Sequence, residues 1–352
     1  MKALVLEANQ SFTIKDIETP VPKEDEALIK VAYCGICGSD LARYFDGKVH
    51  NYPIVLGHEF SGTVEAVGAS VDSVAVGDRV VVAPLLPNKD DPFMQKGSPA
   101  LSSSYSFLGS RENGAMAEYV VVKAENLLVL PETVTLAEAA LIEPLTVAIH
   151  GIERIVLPAG EHVCVLGAGT IGIMTILALK ARGAGKVTAI DINDEKLAFA
   201  KKIGADDTIN SLKEDPVSYA SKHGKPGAVI ETAGVPSSQE QAVALVEKKG
   251  KIVFVGTASG DVTFPAATFE KILREELEIT GSWMSYSGPF PGYEWQAAID
   301  YIASGKIDVK PLIHDVFKLE DGDKPFQAMK DPDNHSIKLL YQIAENEGQV
   351  GK

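Results

Sequence analysis

The chain has 352 residues, 45% of them hydrophobic and 23% charged, with a formal net charge of −15. That length accommodates two domains with separate cores, and that composition excludes long disorder. The acidic balance excludes a general nucleic-acid or anionic-membrane surface, so any anionic substrate needs a local basic pocket.

No apolar run reaches the roughly 18 residues that suggest a membrane span. The opening MKALVLEANQ lacks a signal-peptide core. Cys34, Cys37 and Cys164 are the only cysteines, an odd and sparse set that argues against a disulfide framework. A cytoplasmic location is the expectation.

In chain order, KALVLE, FTIKDIE, ALIKVAYCG, GTVEAVG, DRVVVAP and AEYVVV are rich in β-branched residues and bounded by turn formers. Their spacing predicts a β-rich sandwich or distorted barrel over the first 130 or so residues. TLAEAALIEPLTVAIHGIERI then predicts a helical stretch at 135–155. From Gly160 strand-like and helix-like segments alternate: VCVLGAG, IGIMTILALKARG, KVTAIDI, DEKLAFAKKIG, DTIN, GAVIETAG, GKIVFVGTA and LEITGSW. Such alternation predicts a doubly wound parallel sheet with right-handed crossovers, an α/β fold. SGPFPG ends it, and a mixed tail runs to Lys352. The expected division is a catalytic domain at 1–145 and 288–352, interrupted by a nucleotide-binding domain at 146–287.

VLGAGTIG places Gly167, Gly169 and Gly172 in a GxGxxG pattern between a strand and a helix, with Thr170 and Ile171 opening that helix. The first glycine permits the tight turn, the second admits a pyrophosphate, and the third lets helix pack on strand. The N–H groups at the helix start then face the phosphates. Asp191 ends the next strand about 20 residues on, where a ribose-binding acid belongs. Its carboxylate accepts from ribose hydroxyls and repels a 2′-phosphate, so NAD is expected rather than NADP.

Cys37 in CGICGSD, His58 and Glu59 in GHEFSG, and Glu143 in IEPLT offer thiolate, imidazole and carboxylate donors that suit zinc. Each also has a plainer reading: a small buried hydrophobe, a turn residue, an acid at a helix start. Distance in sequence does not decide between them.

GHEFSGTVEAVG followed by VGDRVVV resembles the zinc alcohol dehydrogenase signature of the medium-chain dehydrogenase/reductase superfamily, and the resemblance extends over essentially the whole chain. It implies a GroES-like catalytic domain interrupted by a Rossmann domain, with the active site in the cleft between them. Polyol dehydrogenases are similar in having a glutamate at the position of Glu143. The resemblance implies Cys37 and His58 as zinc ligands, with Glu59 and Glu143 completing the coordination directly or through water. PLLP, YSFLGSRENG and SWMSYSGPFPGYEW narrow the likeness to polyol dehydrogenases that act on hexitol phosphates. They draw attention to Trp283 and Tyr286 as substrate contacts, while Trp295 reads as loop packing.

Two features depart from the wider family. Members with a structural zinc carry cysteines where Asn88, Asp91, Met94 and Ser102 stand here, so that metal is expected to be absent, with Phe93, Met94 and the prolines holding the lobe. Ala42 replaces a proton-relaying histidine. Ser39 is then expected to touch the substrate hydroxyl, with Glu143, zinc-bound water or cofactor ribose completing the proton's exit; His50 is a weaker substitute. Arg43 and Arg111 are the candidate phosphate-binding residues, because arginine presents a bidentate fork.

The expected reaction is zinc-dependent oxidation of a secondary hydroxyl of a polyol, phosphorylated in the favoured reading, with hydride transfer to NAD in a homodimer or homotetramer. Sorbitol or a pentitol phosphate is an alternative substrate. A metal-free NAD-binding sensor is the alternative of another class.

Overall fold

A computed structural model describes residues 1–331 and 334–344. The chain divides into two compact units, Met1–Glu143 with Tyr286–Lys352, and Pro144–Ser285. Both cuts fall two residues ahead of those read from the sequence. Among the described residues no helix is long and apolar enough to cross a membrane.

The first unit is β-rich and GroES-like. Its main sheet has seven strands: Leu127–Val129, Arg79–Val82, Glu59–Val67, Glu26–Gly35, Lys338–Gln342 and Ile313–Lys318 in order, with Tyr119–Lys123 also pairing with Glu26–Gly35. A smaller sheet joins Ser11–Asp16, Lys2–Ala8 and Ile54–Val55. Inward-facing Leu4, Ile29, Val31, Phe60, Val80, Phe326 and Tyr341 fill the core between them. Each large apolar side chain buried this way contributes about 1.5–3 kcal/mol.

Strand Glu26–Gly35 organises the unit. Gly35 lies opposite Glu59 on one side and Leu340 on the other. The chain then turns into helix Gly38–Asp46, with Cys37 as its N-cap residue. Residues remote in sequence are thereby gathered at one strand end.

The helical stretch expected at 135–155 is two helices, Leu136–Ala139 and Ile142–Glu153. Pro144 accounts for the break. It has no N–H to extend the first helix, but it fits the first turn of the second, where no internal partner is needed.

The second unit is a doubly wound Rossmann sheet. Its strands are β1 (Val163–Leu166), β2 (Val187–Asp191), β3 (Asp207–Asn210), β4 (Ala228–Glu231), β5 (Lys251–Phe254) and β6 (Glu278–Gly281). Their order is β3-β2-β1-β4-β5-β6, all parallel. The connecting helices are α1 (Thr170–Ala181), α2 (Asp194–Lys202), α3 (Pro216–His223), α4 (Pro236–Leu245) and α5 (Ala266–Arg274). The direction of progression reverses between β1 and β4, the switch point at which such sheets open a crevice for a dinucleotide.

Candidate active site

The glycine turn after β1 has the expected geometry. Gly167 adopts φ +94°, and a Cβ there would meet Ala233 at 3.0 Å. A Cβ on Gly172 would lie 1.8 Å from the Gly167 carbonyl oxygen, whereas one on Gly169 would meet nothing within 4 Å. Of the three, only the middle glycine therefore leaves open space, at the start of α1, where Thr170 and Ile171 stand. Asp191 is fixed by two backbone donors, Ala168 N at 2.7 Å and Asn193 N at 3.0 Å. Its carboxylate is thus locked beside the turn it serves.

Sequence reading passed over Glu231, at the end of β4. One of its oxygens accepts from Ala233 N (2.8 Å), Gly234 N (2.9 Å) and Ser238 Oγ (2.7 Å), while Oε2 is buried without a hydrogen-bond partner. Burial pushes its carboxyl above the usual range, against the opposing effect of those donors. Its backbone carbonyl also accepts from Val255 N and Gly256 N at 2.9 and 3.0 Å. The residue thus knits together the loops that follow β4 and β5.

In the first unit the donor atoms of Cys37, His58 and Glu59 all lie within 4.8 Å of one another. His58 and Glu59 are buried and Cys37 half-buried. Glu143 stands outside that group but close enough to interact electrostatically with all three. Burial and the neighbouring Glu59 and Asp40 carboxylates push the Cys37 thiol up to about 11. Burial likewise pushes Glu143 up to about 8, with His58 opposing and Glu59 reinforcing the shift. His58 Nδ1 is buried without a hydrogen bond, and Glu59 Oε2 is buried against the Lys338 ammonium. A compact set of thiol, imidazole and carboxylate, acid-rich and with a buried imidazole nitrogen lacking a hydrogen bond, fits a zinc ion.

Two charged residues not singled out in the sequence complete the site. Asp40, fully buried, accepts from Cys37 N at 3.1 Å and from Arg43 Nη1 at 2.8 Å, and its Oδ1 lies 3.6 Å from His58 Nδ1. The carboxylate thus lies beside the imidazole without a hydrogen bond to it. Lys338, buried at the start of its strand, contacts the Glu59 carboxylate and donates to the Ile36 carbonyl at 3.0 Å. Burial lowers the Lys338 pKa, but Glu59 and the nearby Cys37 outweigh it and hold the ammonium above its ordinary value. Gly35 makes room for the pair: a Cβ there would lie 2.4 Å from Glu59 Oε2. The signal for Lys338 was present in SIKLLYQ, a lone charge inside an apolar strand, which must be paired if buried.

The remaining candidates are dispersed. Ser39 is exposed on the first turn of its helix and accepts from Arg43 Nη1 at 2.7 Å. Tyr286 is buried against Phe290 and Trp295, and its hydroxyl accepts from Leu85 N at 3.2 Å, so it is a wall residue rather than an open contact. Trp295 is fully buried packing, while Trp283 is 49% exposed in the second unit. His50 is exposed beside Arg111.

The lobe at 87–107 requires a correction. Phe93 is 45% exposed and helix Pro92–Gln95 has no buried residue, so the apolar contribution comes from buried Pro99 and Ala100 rather than from Phe93. Asp91 adds polar ties, accepting from Phe93 N at 2.8 Å and Ser103 N at 3.2 Å. Asn88 bonds Ser104 at 2.8 Å, and Ser102 Oγ accepts from Ser104 N at 3.4 Å. A short polar segment saturates its own backbone donors more readily than it buries area.

A compact thiol, imidazole and carboxylate cluster in a GroES-like unit and a glycine turn at a Rossmann switch point together define a class. Residues 23–132 match the alcohol dehydrogenase GroES-like domain, and residues 170–304 match the zinc-binding dehydrogenase domain. The chain belongs to the zinc-containing medium-chain dehydrogenases, in the polyol and sugar-alcohol dehydrogenase group. It is 41% identical to galactitol 1-phosphate 5-dehydrogenase of Escherichia coli (strain K12) over 317 residues, covering 89% of this chain and 92% of that protein. Human sorbitol dehydrogenase is 35% identical over 338 residues, covering 93% and 92%. The crystal structure of galactitol-1-phosphate dehydrogenase from Escherichia coli superposes with a TM-score of 0.93 at 39% identity, over 97% of this chain and 100% of that one.

Proposed function

We propose that the chain oxidises one secondary hydroxyl of a hexitol phosphate, galactitol 1-phosphate to tagatose 6-phosphate, with NAD as hydride acceptor. The observation that carries the chemistry is the compact Cys37–His58–Glu59 cluster; the likeness to a galactitol 1-phosphate dehydrogenase carries the substrate. In the balanced reaction the carbinol C–H bond breaks to deliver hydride to the nicotinamide. The hydroxyl proton departs, leaving ketose, NADH and H⁺.

Zinc, when bound, supplies Lewis-acid stabilisation of charge developing on the reacting oxygen. Cys37, His58 and Glu59 hold it, with Glu143 adjoining and joining the coordination directly or through water. Asp40 fixes the Cys37 backbone and stands beside the His58 ring. Lys338 restrains Glu59. Ser39 Oγ, held by Arg43 Nη1, takes the substrate's proton as its own passes to solvent, a role for which Ala42 offers no side chain. NAD is favoured over NADP by Asp191, fixed at the strand end where a 2′-phosphate would bring added negative charge.

One metal per chain is supported by the lobe, whose Asn88, Asp91 and Ser102 take part in its internal hydrogen bonds where other members place cysteines. A homodimer or homotetramer is supported by β6, an edge strand, and by exposed Phe269 and Leu273 on α5. Identical edges satisfy each other's free backbone groups. A cytoplasmic location is supported by three unpaired cysteines.

The test is NAD reduction on galactitol 1-phosphate, galactitol, sorbitol and pentitol phosphates. Highest kcat/KM on galactitol 1-phosphate is expected. Preference for any free polyol would overturn the phosphate reading, and bound NADH without turnover would favour a sensor.

A further inference from the structure

A phosphorylated substrate requires a cation that is oriented but not already neutralised. Arg43 fails the second condition. Its Nη1 is shared between Ser39 Oγ and the buried carboxylate of Asp40, with which it forms an ion pair. That charge is occupied in holding the helix that presents Cys37.

Arg111 meets both conditions. Its guanidinium stacks on Tyr105, with Cζ 4.2 Å from the ring centroid. Nη1 donates to the Tyr105 carbonyl, and Nε faces His50 Nε2 at 3.4 Å. All three contacts are with groups that carry no negative charge, and Arg111 has no ion pair among the described residues. The adjacent carboxylate, Glu112, is engaged with Ser106 Oγ at 2.9 Å. In a chain of net charge −15 this is a preoriented guanidinium without a counter-charge.

Its position connects it to the metal cluster. The N–H groups of Arg111 and Glu112 donate to the Phe107 carbonyl at 2.9 and 3.1 Å. The Phe107 ring meets His58 edge-on, with centroids 5.6 Å apart. The turn that carries Arg111 is thus hydrogen-bonded through its backbone to the residue whose ring contacts His58.

We propose that Arg111, held by Tyr105 and His50, recognises the phosphate monoester of the substrate, and that Arg43 serves the helix instead. The assignment rests on the hexitol-phosphate reading above. The fork supplies charge-assisted hydrogen bonds to a dianion, and the stack removes the orientational freedom that would otherwise be lost on binding.

The test compares the full-length zinc-loaded wild type with Arg111→Ala and Arg111→Lys. It measures kcat/KM on galactitol 1-phosphate and galactitol, and competitive inhibition by inorganic phosphate. NADH fluorescence titration and thermal unfolding report whether the fold is intact. Arg111→Ala is expected to lower the preference for the phosphorylated polyol about ten- to hundred-fold, mainly through KM, and to weaken inhibition by phosphate in parallel. Arg111→Lys, which keeps the charge without the fork, should fall between and serves as the measure if the alanine chain does not fold. A wild type preferring free galactitol would defeat the substrate reading. A wild type preferring the phosphate, with variants retaining that preference within about two-fold, would defeat the Arg111 assignment alone.

Discussion

The dinucleotide turn and the metal cluster are built on opposite principles. Around Gly167–Gly172 the working parts are backbone groups and empty space, and the charged member, Asp191, is tied down by backbone N–H donors. Around Cys37 the working parts are ionisable side chains: His58, Glu59, Asp40 and Lys338 in or beside the cluster, with Glu143 interacting electrostatically. The first should fail when a methyl group is added, the second when a charge is removed. The same contrast explains why a contiguous motif suffices for one, whereas the other draws on distant parts of the chain.

The largest effect belongs to the metal cluster. Cys37→Ser should cost about a thousand-fold or more in kcat/KM, the scale of losing several kcal/mol of charge stabilisation, while NADH affinity stays near wild type. Parallel loss of NADH binding would show that the two sites are not separable in this way. Lys338→Met should destabilise the metal-free chain by about 3–5 kcal/mol in urea unfolding, because Glu59 is left as a buried, uncompensated charge. Zinc restores a counter-charge, so the variant should gain more stability from added zinc than the wild type does. An equal gain would contradict the role given to Lys338.

At the dinucleotide turn, Gly172→Ala should cost about 1–3 kcal/mol by overpacking against Gly167. Gly169→Ala should leave unfolding nearly unchanged yet weaken NADH, since only the ligand approaches that position. A reversal of the two phenotypes would break the reading of the turn.

The smallest effect concerns Glu231. Burial raises its carboxyl pKa in the folded chain, so the folded state binds the proton more tightly than the unfolded one. Stability attached to this group is lost as pH rises from the ordinary carboxyl value through the raised one. Glu231→Gln does not ionise, so its melting temperature relative to wild type should improve across that window. Parallel curves would contradict it.

These differences also explain what could be read from the sequence. The Rossmann unit was legible because strand, turn and helix are consecutive, and each glycine in VLGAGTIG has its own local reason. The β-rich unit was legible as a class, but its sheet order was not: the pairing of Lys338–Gln342 with Glu26–Gly35 spans some three hundred residues. For that reason Lys338 was missed, and Cys37 and His58 could be joined only through family resemblance. The break before Ile142 was visible in Pro144, although apolar periodicity masked it. In the lobe the prolines were read correctly in Pro99, but Phe93 was not, because Asp91 offered a carboxylate with two oxygens for nearby N–H groups.

The central claim is one zinc per chain at Cys37–His58–Glu59, serving a separately built NAD site. The most direct measurement is zinc content after exhaustive dialysis, paired with NADH titration, for wild type and Cys37→Ser. One firmly held zinc in the wild type, little or none in the variant, and unchanged NADH binding in both are the predicted results. Two retained zincs per wild-type chain, or full retention by Cys37→Ser, would contradict it.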